Sequence, residues 1–462
     1  MNTRHPMPAS AVELGRLATR TLDLPRWQHE GRVVRLSGLT IEADGPHVGM
    51  GQLCTVSAPD GSRELLAEVV ALAPGRVVLM PFDSAMGVST GWRVQTHFQS
   101  LHGRVASAPV QASIPVGDDL LGRVIDPFGR PIDGLGPLSL PSHQSLHALA
   151  PSPMTRPPIK AVMETGVRAI DGLLTMGRGQ RVGIFAGSGV GKSTLLGMMA
   201  RHVTADINVI ALIGERGREV REFVESSLGA QGLARSVVVV ATSDQPAPTR
   251  VRAAYAALAI AEYFRANGKQ VLLTMDSVTR FAMAKREIGL AAGEPPTARG
   301  YTPSVFAEIP MLCERCGTHE QGGSITALMT VLVEGDDFNE PVADALRATL
   351  DGHLVLTREL AEQGHFPAID VLKSASRLRD ELIPDADVEL ARQVALMLSI
   401  IRSNRQLVDI GAYQPGQNPA LDQALRVEPL LKGWLCQSKN EPQPLGRATT
   451  LMQLKQIMGQ AA

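Results

Sequence analysis

The sequence predicts an α/β fold class: a core with a parallel sheet, preceded by a small N-terminal β-barrel and followed by an α-helical C-terminal domain. At residues 181–200 an apolar run breaks into glycines and continues as a helix-like run. Five continuous apolar runs alternate with helix-like stretches such as Arg250–Phe264, which is typical of a parallel sheet covered on both faces. The five runs are Val182–Ala186, Asn208–Ile213, Val237–Ala241, Val271–Met275 and Ile325–Val333.

The regions that flank this core have other patterns, and a chain of 462 residues is too long for one ordinary core. Short strand-like runs separated by turns predict the barrel, at residues 31–36, 52–56, 66–72 and 76–80. Helix-like runs predict the last domain, at residues 388–403, 419–436 and 448–458. Residues 1–24 have a weak amphipathic pattern that could dock a partner or remain a frayed end. The predicted domains are residues 1–24, 25–100, 101–385 and 386–462.

The glycine-rich turn has the context of a phosphate-binding loop. Glycines let successive backbone N–H groups point at one anion, and the following helix N-terminus adds partial positive charge. Lys192 would reach the β- and γ-phosphates of a nucleotide, and the Ser193 hydroxyl would bind Mg²⁺. The first glycine of the usual pattern is Ala186 here, whereas the end that carries the chemistry is intact. The predicted nucleotide-binding residues of this loop are Gly187, Ser188, Gly189, Val190, Gly191, Lys192, Ser193 and Thr194.

Two carboxylates follow apolar runs of the predicted sheet. Asp276 comes directly after Val271–Met275, and the carboxyl end of a buried parallel strand is where the Mg²⁺ of a nucleotide would bind. Asp276 could instead cap a helix, but the phosphate loop favours the Mg²⁺ role. Glu215 lies near the end of another run, and a carboxylate near the γ-phosphate can orient and activate water. Without the phosphate loop, Glu215 would belong to a solvated charge cluster.

Composition excludes several classes of function. The formal net charge is −1 at pH 7, so no overall basic field attracts nucleic acid or acidic membranes. We see no signal peptide and no stretch that approaches the roughly 18 to 20 apolar residues of a membrane span. Cys313 and Cys316 form a CxxC pair without the second pair that a zinc site needs. A redox role and two reduced thiols of a cytosolic protein remain as alternatives.

Six sequence blocks resemble the rotary-type ATPases, and within them the flagellar and type III secretion export ATPases. The blocks are Ala186–Thr194, Gly214–Val220, Met275–Phe281, Gly293–Pro296 with Gly300-Tyr301, Glu334–Asp337 and Leu350–His353. The resemblance extends from about residue 25 to the C-terminus. Residues 242–247 and Ile410–Tyr413 favour the flagellar branch, although the injectisome branch is close. The resemblance implies a RecA-like core for the α/β domain.

The resemblance also implies a role for each matched residue around the phosphates. Lys192 is similar to the phosphate-binding lysine, and Ser193 and Asp276 are similar to the Mg²⁺ ligands. Glu215 is similar to the water-activating glutamate, with Arg216 beside it as a γ-phosphate contact. Arg280 matches a further active-site arginine.

Three matched residues lie far along the chain from the phosphate loop. Arg377 resembles the arginine finger that a neighbouring subunit supplies, although spacing alone would equally fit a surface arginine. Phe366 and Tyr413 fall where aromatic rings flank the adenine, and an aromatic face can stack on a base. A core role for Phe366 remains an alternative.

The family assembles as a homohexamer with sites between subunits, so the resemblance implies ATP and Mg²⁺ as cofactors and other copies of the chain as partners. Further implied partners are a stator-like regulator at residues 1–24, a central stalk protein, the membrane proteins of an export gate, and export substrates with their chaperones. No nucleic acid is expected. The implied location is the cytoplasm, peripherally associated with the inner-membrane export apparatus. The predicted function is ATP hydrolysis that energises the export of flagellar proteins.

Other functions remain as alternatives to flagellar export. An injectisome ATPase would differ only in the system it serves. A hexameric nucleic-acid translocase would need a basic, aromatic-laced face that the composition does not indicate. A non-catalytic nucleotide-binding subunit typically lacks the water-activating carboxylate, so Glu215 argues against that role. An ATP synthase-type rotary subunit would need a distinct partner subunit to form its ring.

Overall fold

The computed structural model divides the chain into two compact units, one around the N-terminal strands and one around the central sheet and the C-terminal helices. The structure describes residues 30–97, 100–101, 104–105, 112–320, 322–333, 338, 340–441 and 445–460. The predicted partner-docking segment at residues 1–24 and the block Glu334–Asp337 lie outside the described residues.

Six antiparallel strands lie in the first unit. They are β1 (Glu30–Ser37), β2 (Thr40–Ala43), β3 (Leu53–Ser57), β4 (Glu64–Ala73), β5 (Arg76–Pro81) and β6 (Arg93–Thr96). They close into a barrel in the order β1-β2-β5-β4-β3-β6, and Gly75 makes the tight turn between β4 and β5 at a φ of 67°. Because successive side chains of a strand point to opposite faces, Cys54 and Val56 are buried while Thr55 is half-buried. The predicted barrel is confirmed; the four-residue strands β2 and β6 were not predicted.

The strands that follow the barrel are mostly part of one sheet. They are β7 (Ser100–Leu101), β8 (Arg104–Val105), β9 (Ser113–Val116), β10 (Arg123–Ile125), β11 (Ser142–Ser145), β12 (Val162–Met163), β13 (Met176–Gly177), β14 (Arg181–Ala186), β15 (Ile207–Glu215), β16 (Ser236–Thr242), β17 (Gln270–Asp276), β18 (Gly317–Thr318), β19 (Ser324–Leu332), β20 (Gly352–Leu356) and β21 (Ala375–Ser376). The sheet has the order β10-β16-β15-β17-β19-β14-β20-β21, with β18 paired to β19. Along this order, every pair of neighbouring strands from β10 at one edge to β20 is parallel. The predicted parallel sheet is therefore confirmed.

Helices connect the parallel strands, as parallel pairing requires. They are α1 (Arg168–Leu173), α2 (Lys192–His202), α3 (Gly217–Glu222), α4 (Gly229–Ala234), α5 (Ala247–Ala266), α6 (Val278–Ala291), α7 (Pro303–Glu314), α8 (Pro341–Thr349), α9 (Arg358–Glu362), α10 (Arg379–Leu382), α11 (Asp385–Asp409), α12 (Pro419–Leu435) and α13 (Arg447–Gly459). A π-helix, Phe223–Leu228, joins α3 to α4. Every residue of β15 except the last is buried, which indicates that both faces of the sheet are covered.

The last three helices form the predicted helical region. Asn418 begins α12 as its N-cap, because its side chain accepts hydrogen bonds from the amides of Ala420 and Leu421, at 3.1 and 3.2 Å. Val394, Leu431 and Leu454, one from each helix, are fully buried in the same apolar core as the central sheet. This part of the fold prediction is also confirmed.

Two kinds of feature are absent from the described residues. Within the described ranges, no helix combines the length and hydrophobicity needed to cross a bilayer. In the same part of the chain, no group of three or more His, Cys, Asp or Glu side chains is arranged to hold a metal ion.

Cys313 and Cys316 are buried free thiols, and burial raises the pKa of Cys316 to about 12. A thiol that stays protonated is a poor nucleophile, so burial argues against the redox alternative.

Candidate active site

The phosphate loop lies between β14 and α2. Gly191, at a φ of 92°, is the N-cap of α2, and Gly189 has a φ of 80°, so both occupy the left-handed region that favours glycine. Helix α2 begins at Lys192, and the next two residues, Ser193 and Thr194, are exposed on its first turn. Ala186 is buried at the end of β14, where its small side chain belongs to the core. The loop therefore presents backbone amides and side-chain hydroxyls at a helix N-terminus.

The two predicted carboxylates end neighbouring strands. Glu215 is the last residue of β15, and Asp276 is the last residue of β17. The two strands pair in parallel, with Leu212 opposite Asp276. Since the carboxyl ends of parallel strands meet at one edge of a sheet, both side chains lie beside the phosphate loop.

Lys192 joins the loop to both carboxylates. Its Nζ forms an ion pair with Oδ1 of Asp276 and lies 3.6 Å from Oε1 of Glu215. The side chains of Lys192, Glu215 and Asp276 are 11%, 17% and 3% exposed. The structure thus brings together the three residues on which the predicted chemistry depends.

Asp276 has a second partner, which sequence reasoning missed. Thr330, on β19, donates a hydrogen bond from Oγ1 to Oδ1 of Asp276 at 2.8 Å. The available signal was a threonine within the apolar run Ile325–Val333. The alternative role of Asp276 as a helix cap falls instead to Ser277, whose Oγ accepts a hydrogen bond from the amide of Arg280 at 3.3 Å.

The environment of Glu215 suits proton transfer. Burial raises the pKa of this carboxyl to about 7, although the nearby Lys192 ammonium opposes the shift. Glu215 lines a cavity of about 150 Å³ together with Ser193, Glu219 and Asp276. A base with a pKa close to 7 beside a cavity of this size matches what water activation needs.

The two predicted arginines near Glu215 differ in their surroundings. The side chain of Arg216 is 75% exposed, and its Nη1 lies 3.6 Å from Oε1 of Glu219. The aliphatic part of Arg280 lies against Gly214, where an added Cβ would be 3.1 to 3.4 Å from it. Nε of Arg280 is buried and has no hydrogen-bond partner among the described residues. Arg280 therefore carries an unused donor beside the end of β15.

The two predicted adenine-flanking rings lie in different places. Phe366 is 45% exposed, and its ring is 3.6 Å from the position that a Cβ of Gly191 would take. The ring is thus adjacent to the phosphate loop. Tyr413 donates from its hydroxyl to Oδ1 of Asp422 at 2.7 Å, and its hydrogen bonds among the described residues connect it to the helical region. The structure links only Phe366 to the loop.

Arg377 is not part of the cluster around Lys192. It follows β21, the edge strand next to β20, and its side chain is exposed. Its Nη2 donates to the backbone oxygen of Arg347 at 3.0 Å. An exposed arginine at the edge of the sheet is available to another molecule.

Family comparisons match three stretches of the chain. Residues 33–96 match the β-barrel domain and residues 166–376 the nucleotide-binding domain of the ATP synthase alpha/beta family. Residues 383–456 match the C-terminal domain of the type III secretion ATPase EscN.

Individual relatives agree with these matches. The "Flagellum-specific ATP synthase" of Bacillus subtilis (strain 168) is 51% identical over 418 residues, covering 90% of this chain and 92% of the relative. The "Type 3 secretion system ATPase" of Xanthomonas euvesicatoria is 47% identical over 411 residues, covering 89% of this chain and 90% of the relative.

A solved structure of the assembled ATPase EscN from the type III secretion system of enteropathogenic E. coli superimposes with a TM-score of 0.85 at 43% identity. The superposition covers 94% of this chain and all of that chain, at 100%. A second structure shows EscN in complex with its central stalk EscO. The predicted family and enzyme class are therefore confirmed: this chain is an ATP-hydrolysing member of the flagellar and type III secretion ATPases, with the nucleotide-binding domain of the ATP synthase α/β family.

Proposed function

We propose that the chain hydrolyses ATP by in-line attack of water on the γ-phosphate, at sites shared between the subunits of a homohexamer that energises flagellar protein export. The observation that carries the chemistry is the convergence of Lys192, Glu215 and Asp276 at the mouth of the phosphate loop. Glu215 orients the attacking water and accepts its proton. Lys192 stabilises the negative charge that develops on the transferred phosphoryl group.

The donor set at this site fits Mg²⁺. The buried carboxylate of Asp276 and the exposed hydroxyl of Ser193 line one cavity, and a hard cation prefers such oxygen ligands. Ser193 and Asp276 would hold the ion. An ion held there would neutralise part of the negative charge of the nucleotide's phosphates.

The remaining predicted residues act around this centre. The loop Gly187–Thr194 binds the phosphates through its amides. Arg280, whose Nε has no hydrogen-bond partner within the described ranges, reaches toward the γ-phosphate, and Arg216 makes a second contact after it leaves Glu219. Phe366 stacks on the adenine from its position next to Gly191, and Tyr413 covers the other side of the base. Arg377 acts in trans, because it lies outside the cluster of its own chain.

Assembly and service to an export system are supported by the relatives. EscN is described as assembled and as binding a central stalk, so we propose a ring of this chain around an equivalent stalk. The flagellar system is favoured by the residue blocks at 242–247 and 410–413, and an injectisome is the second candidate because a type III secretion relative is nearly as similar.

We further propose domain boundaries near residues 24, 100 and 385. The N-terminal segment would dock a stator-like regulator, and the ring would work in the cytoplasm at the membrane export gate, receiving export substrates and chaperones.

The test is ATPase activity against protein concentration, together with a mixture of Arg377→Ala and Lys192→Ala. Specific activity should rise cooperatively with concentration, and the two inactive variants should partly restore each other. A mixed ring contains interfaces in which an intact Lys192 meets an intact Arg377. If specific activity is independent of concentration and mixing restores nothing, the shared site is wrong.

A further inference from the structure

One segment of the second unit carries two of the proposed site residues. Residues 366–377, the connecting segment, begin at Phe366 beside the phosphate loop and end at Arg377 on the sheet edge. The ring at one end faces the site of its own chain, and the arginine at the other end serves the neighbouring site. A shift of this segment would therefore change two sites at once.

The middle of the connecting segment, at Val371 and Leu372, lies between two cavities, whereas Ala368 and Ile369 before it are buried. A cavity of about 270 Å³ lies against Val371 and Leu372 on the side of α11 and α12, where Arg402 and Arg405 line it. A second cavity, of about 260 Å³, lies against the same two residues and is also lined by Ser374 and Ala375. Because apolar contacts on both sides of Val371 and Leu372 are incomplete, the position of this middle part depends more on its polar bonds.

Asp370 forms several of those polar bonds, in the middle of the connecting segment. Its side chain is 6% exposed, and Oδ1 accepts hydrogen bonds from the amides of Leu372 and Lys373 at 3.0 and 3.1 Å. Its backbone oxygen accepts a hydrogen bond from Oγ of Ser374 at 2.7 Å. These bonds fix the middle of the connecting segment as one turn.

The same carboxylate is bound from the helical region. Nη2 of Arg402, on α11, donates to Oδ1 of Asp370 at 2.6 Å. A charged hydrogen bond of this length is among the stronger polar contacts, and here one member is buried. A second contact from the helical region holds the start of the segment. The backbone N–H of Gln437 donates to the backbone oxygen of Phe366 at 2.7 Å.

We propose that Arg402 is a positioning residue: through Asp370 it sets the connecting segment, so that the C-terminal helical region controls both nucleotide affinity at Phe366 and delivery of Arg377 to the next subunit. The inference rests on the proposed roles of Phe366 and Arg377. Loss of Arg402 leaves a buried carboxylate without its closest cation, with Nζ of Lys373 at 3.9 Å as the remaining one. The segment would then shift into the adjoining cavities.

Arg405 provides a matched control. It lies on the same helix and lines the same cavity, but its Nη1 pairs with Oε1 of Glu428 on α12 at 2.7 Å. Arg405→Ala thus removes a similar ion pair within the helical region and leaves Asp370 untouched. Arg402→Lys keeps the cation and serves as the conservative variant.

The first arm of the test measures the affinity of the full-length protein for a fluorescent ADP analogue. We expect Arg402→Ala to bind it about threefold to tenfold more weakly, while Arg405→Ala and Arg402→Lys remain close to the wild type. A thermal unfolding curve for each variant separates positioning from loss of fold. If Arg402→Ala and Arg405→Ala have the same affinity, the positioning role of Arg402 is wrong.

The second arm measures turnover in mixtures. Arg402→Ala keeps its own Lys192 and Glu215, and a Lys192→Ala neighbour supplies a correctly placed Arg377. Mixing the two should therefore raise turnover above that of Arg402→Ala alone. One outcome is that mixing with Lys192→Ala restores the turnover of Arg377→Ala but not that of Arg402→Ala. This outcome would exclude the delivery of Arg377 through Arg402, whereas the site shared between subunits would stand. If neither mixture is restored, the shared site itself fails, and the affinity arm still decides the effect on Phe366.

Discussion

Nζ of Lys192 lies 3.6 Å from Oε1 of Glu215 while it is ion-paired with Asp276. The Lys192 ammonium thus lies between two carboxylates that would otherwise repel each other more strongly at the ends of adjacent strands. A phosphate that reaches Lys192 must compete with these carboxylates for it. This competition links nucleotide binding to the charge state of Glu215.

Replacing Lys192 should abolish hydrolysis without unfolding the protein. We expect Lys192→Ala to reduce phosphate release by about 10²-fold or more, because the charge on the transferred group loses its cation. The variant should remain folded, since Thr330 still donates to Asp276. Lys269→Ala is the control, because Lys269 precedes β17 at the end opposite Asp276. Full ATPase activity in Lys192→Ala would show that residues 187–194 are not the phosphate-binding loop of the active site.

The activity should depend on pH through Glu215. Burial raises the pKa of Glu215 to about 7, so the neutral carboxyl, which cannot accept a proton, persists to higher pH than usual. Below that pKa, kcat/KM should fall about tenfold per pH unit, and above it kcat/KM should level off.

Steady-state rates across this pH range check the prediction. Glu215→Gln should remove the acidic limb and leave a rate about 10² to 10⁴ lower that does not vary with pH there. Glu389→Gln, which changes a carboxylate on α11 whose side chain is 46% exposed, should keep the wild-type profile. A wild-type profile that is flat through pH 7 would contradict the role of Glu215 as the base.

Thr330 should orient Asp276. Thr330→Val has nearly the same shape but removes the hydrogen bond to Oδ1 of Asp276. Mg²⁺-dependent activity should then require a higher Mg²⁺ concentration, whereas the affinity for a nucleotide without Mg²⁺ should change little. A Mg²⁺ titration of the ATPase rate measures this. Thr326→Val, on the same strand but hydrogen-bonded to the amide of Gly179, is the matched control.

Sequence patterns predicted the part of the site that follows from strand topology. A continuous apolar run that ends in a carboxylate identified Asp276, and the glycine pattern identified Lys192, because both features are local. The bond from Thr330 was not predictable, since a threonine within a buried strand can face either side of the sheet. The burial of Arg280 Nε and the Arg402–Asp370 contact depend on how distant segments pack, which no local pattern specifies. Arg377 was identified only by resemblance, because its proposed partner is in another chain.

Phe366 should contribute to nucleotide affinity. Its half-exposed ring lies next to Gly191, so an adenine bound at the loop could stack on it. Phe366→Ala should weaken binding of a fluorescent ATP analogue about threefold to tenfold, the effect of one lost aromatic contact. Phe366→Tyr, which keeps the ring, should bind almost normally. Equal affinities for the alanine variant and the wild type would place the adenine elsewhere.

Two helix glycines should respond in opposite ways to the same substitution. At Gly197 on α2, an added Cβ would be 2.6 Å from the backbone oxygen of Ser227 in the π-helix, which cannot move without breaking its turn. Gly197→Ala should therefore lower the free energy of unfolding by about 1–3 kcal/mol and displace the helix that carries Lys192. Because Lys192 would be displaced, the ATPase activity of Gly197→Ala should also fall.

Gly433 on α12 has nothing within 4 Å of the added Cβ. Gly433→Ala should raise the free energy of unfolding by about 0.5–1 kcal/mol, because alanine favours the helix, and it should leave ATPase activity unchanged. Denaturant unfolding curves and phosphate-release rates for both variants measure the contrast. If Gly197→Ala is as stable and active as the wild type, α2 does not pack closely on the π-helix, and the position of Lys192 must be held by the loop alone.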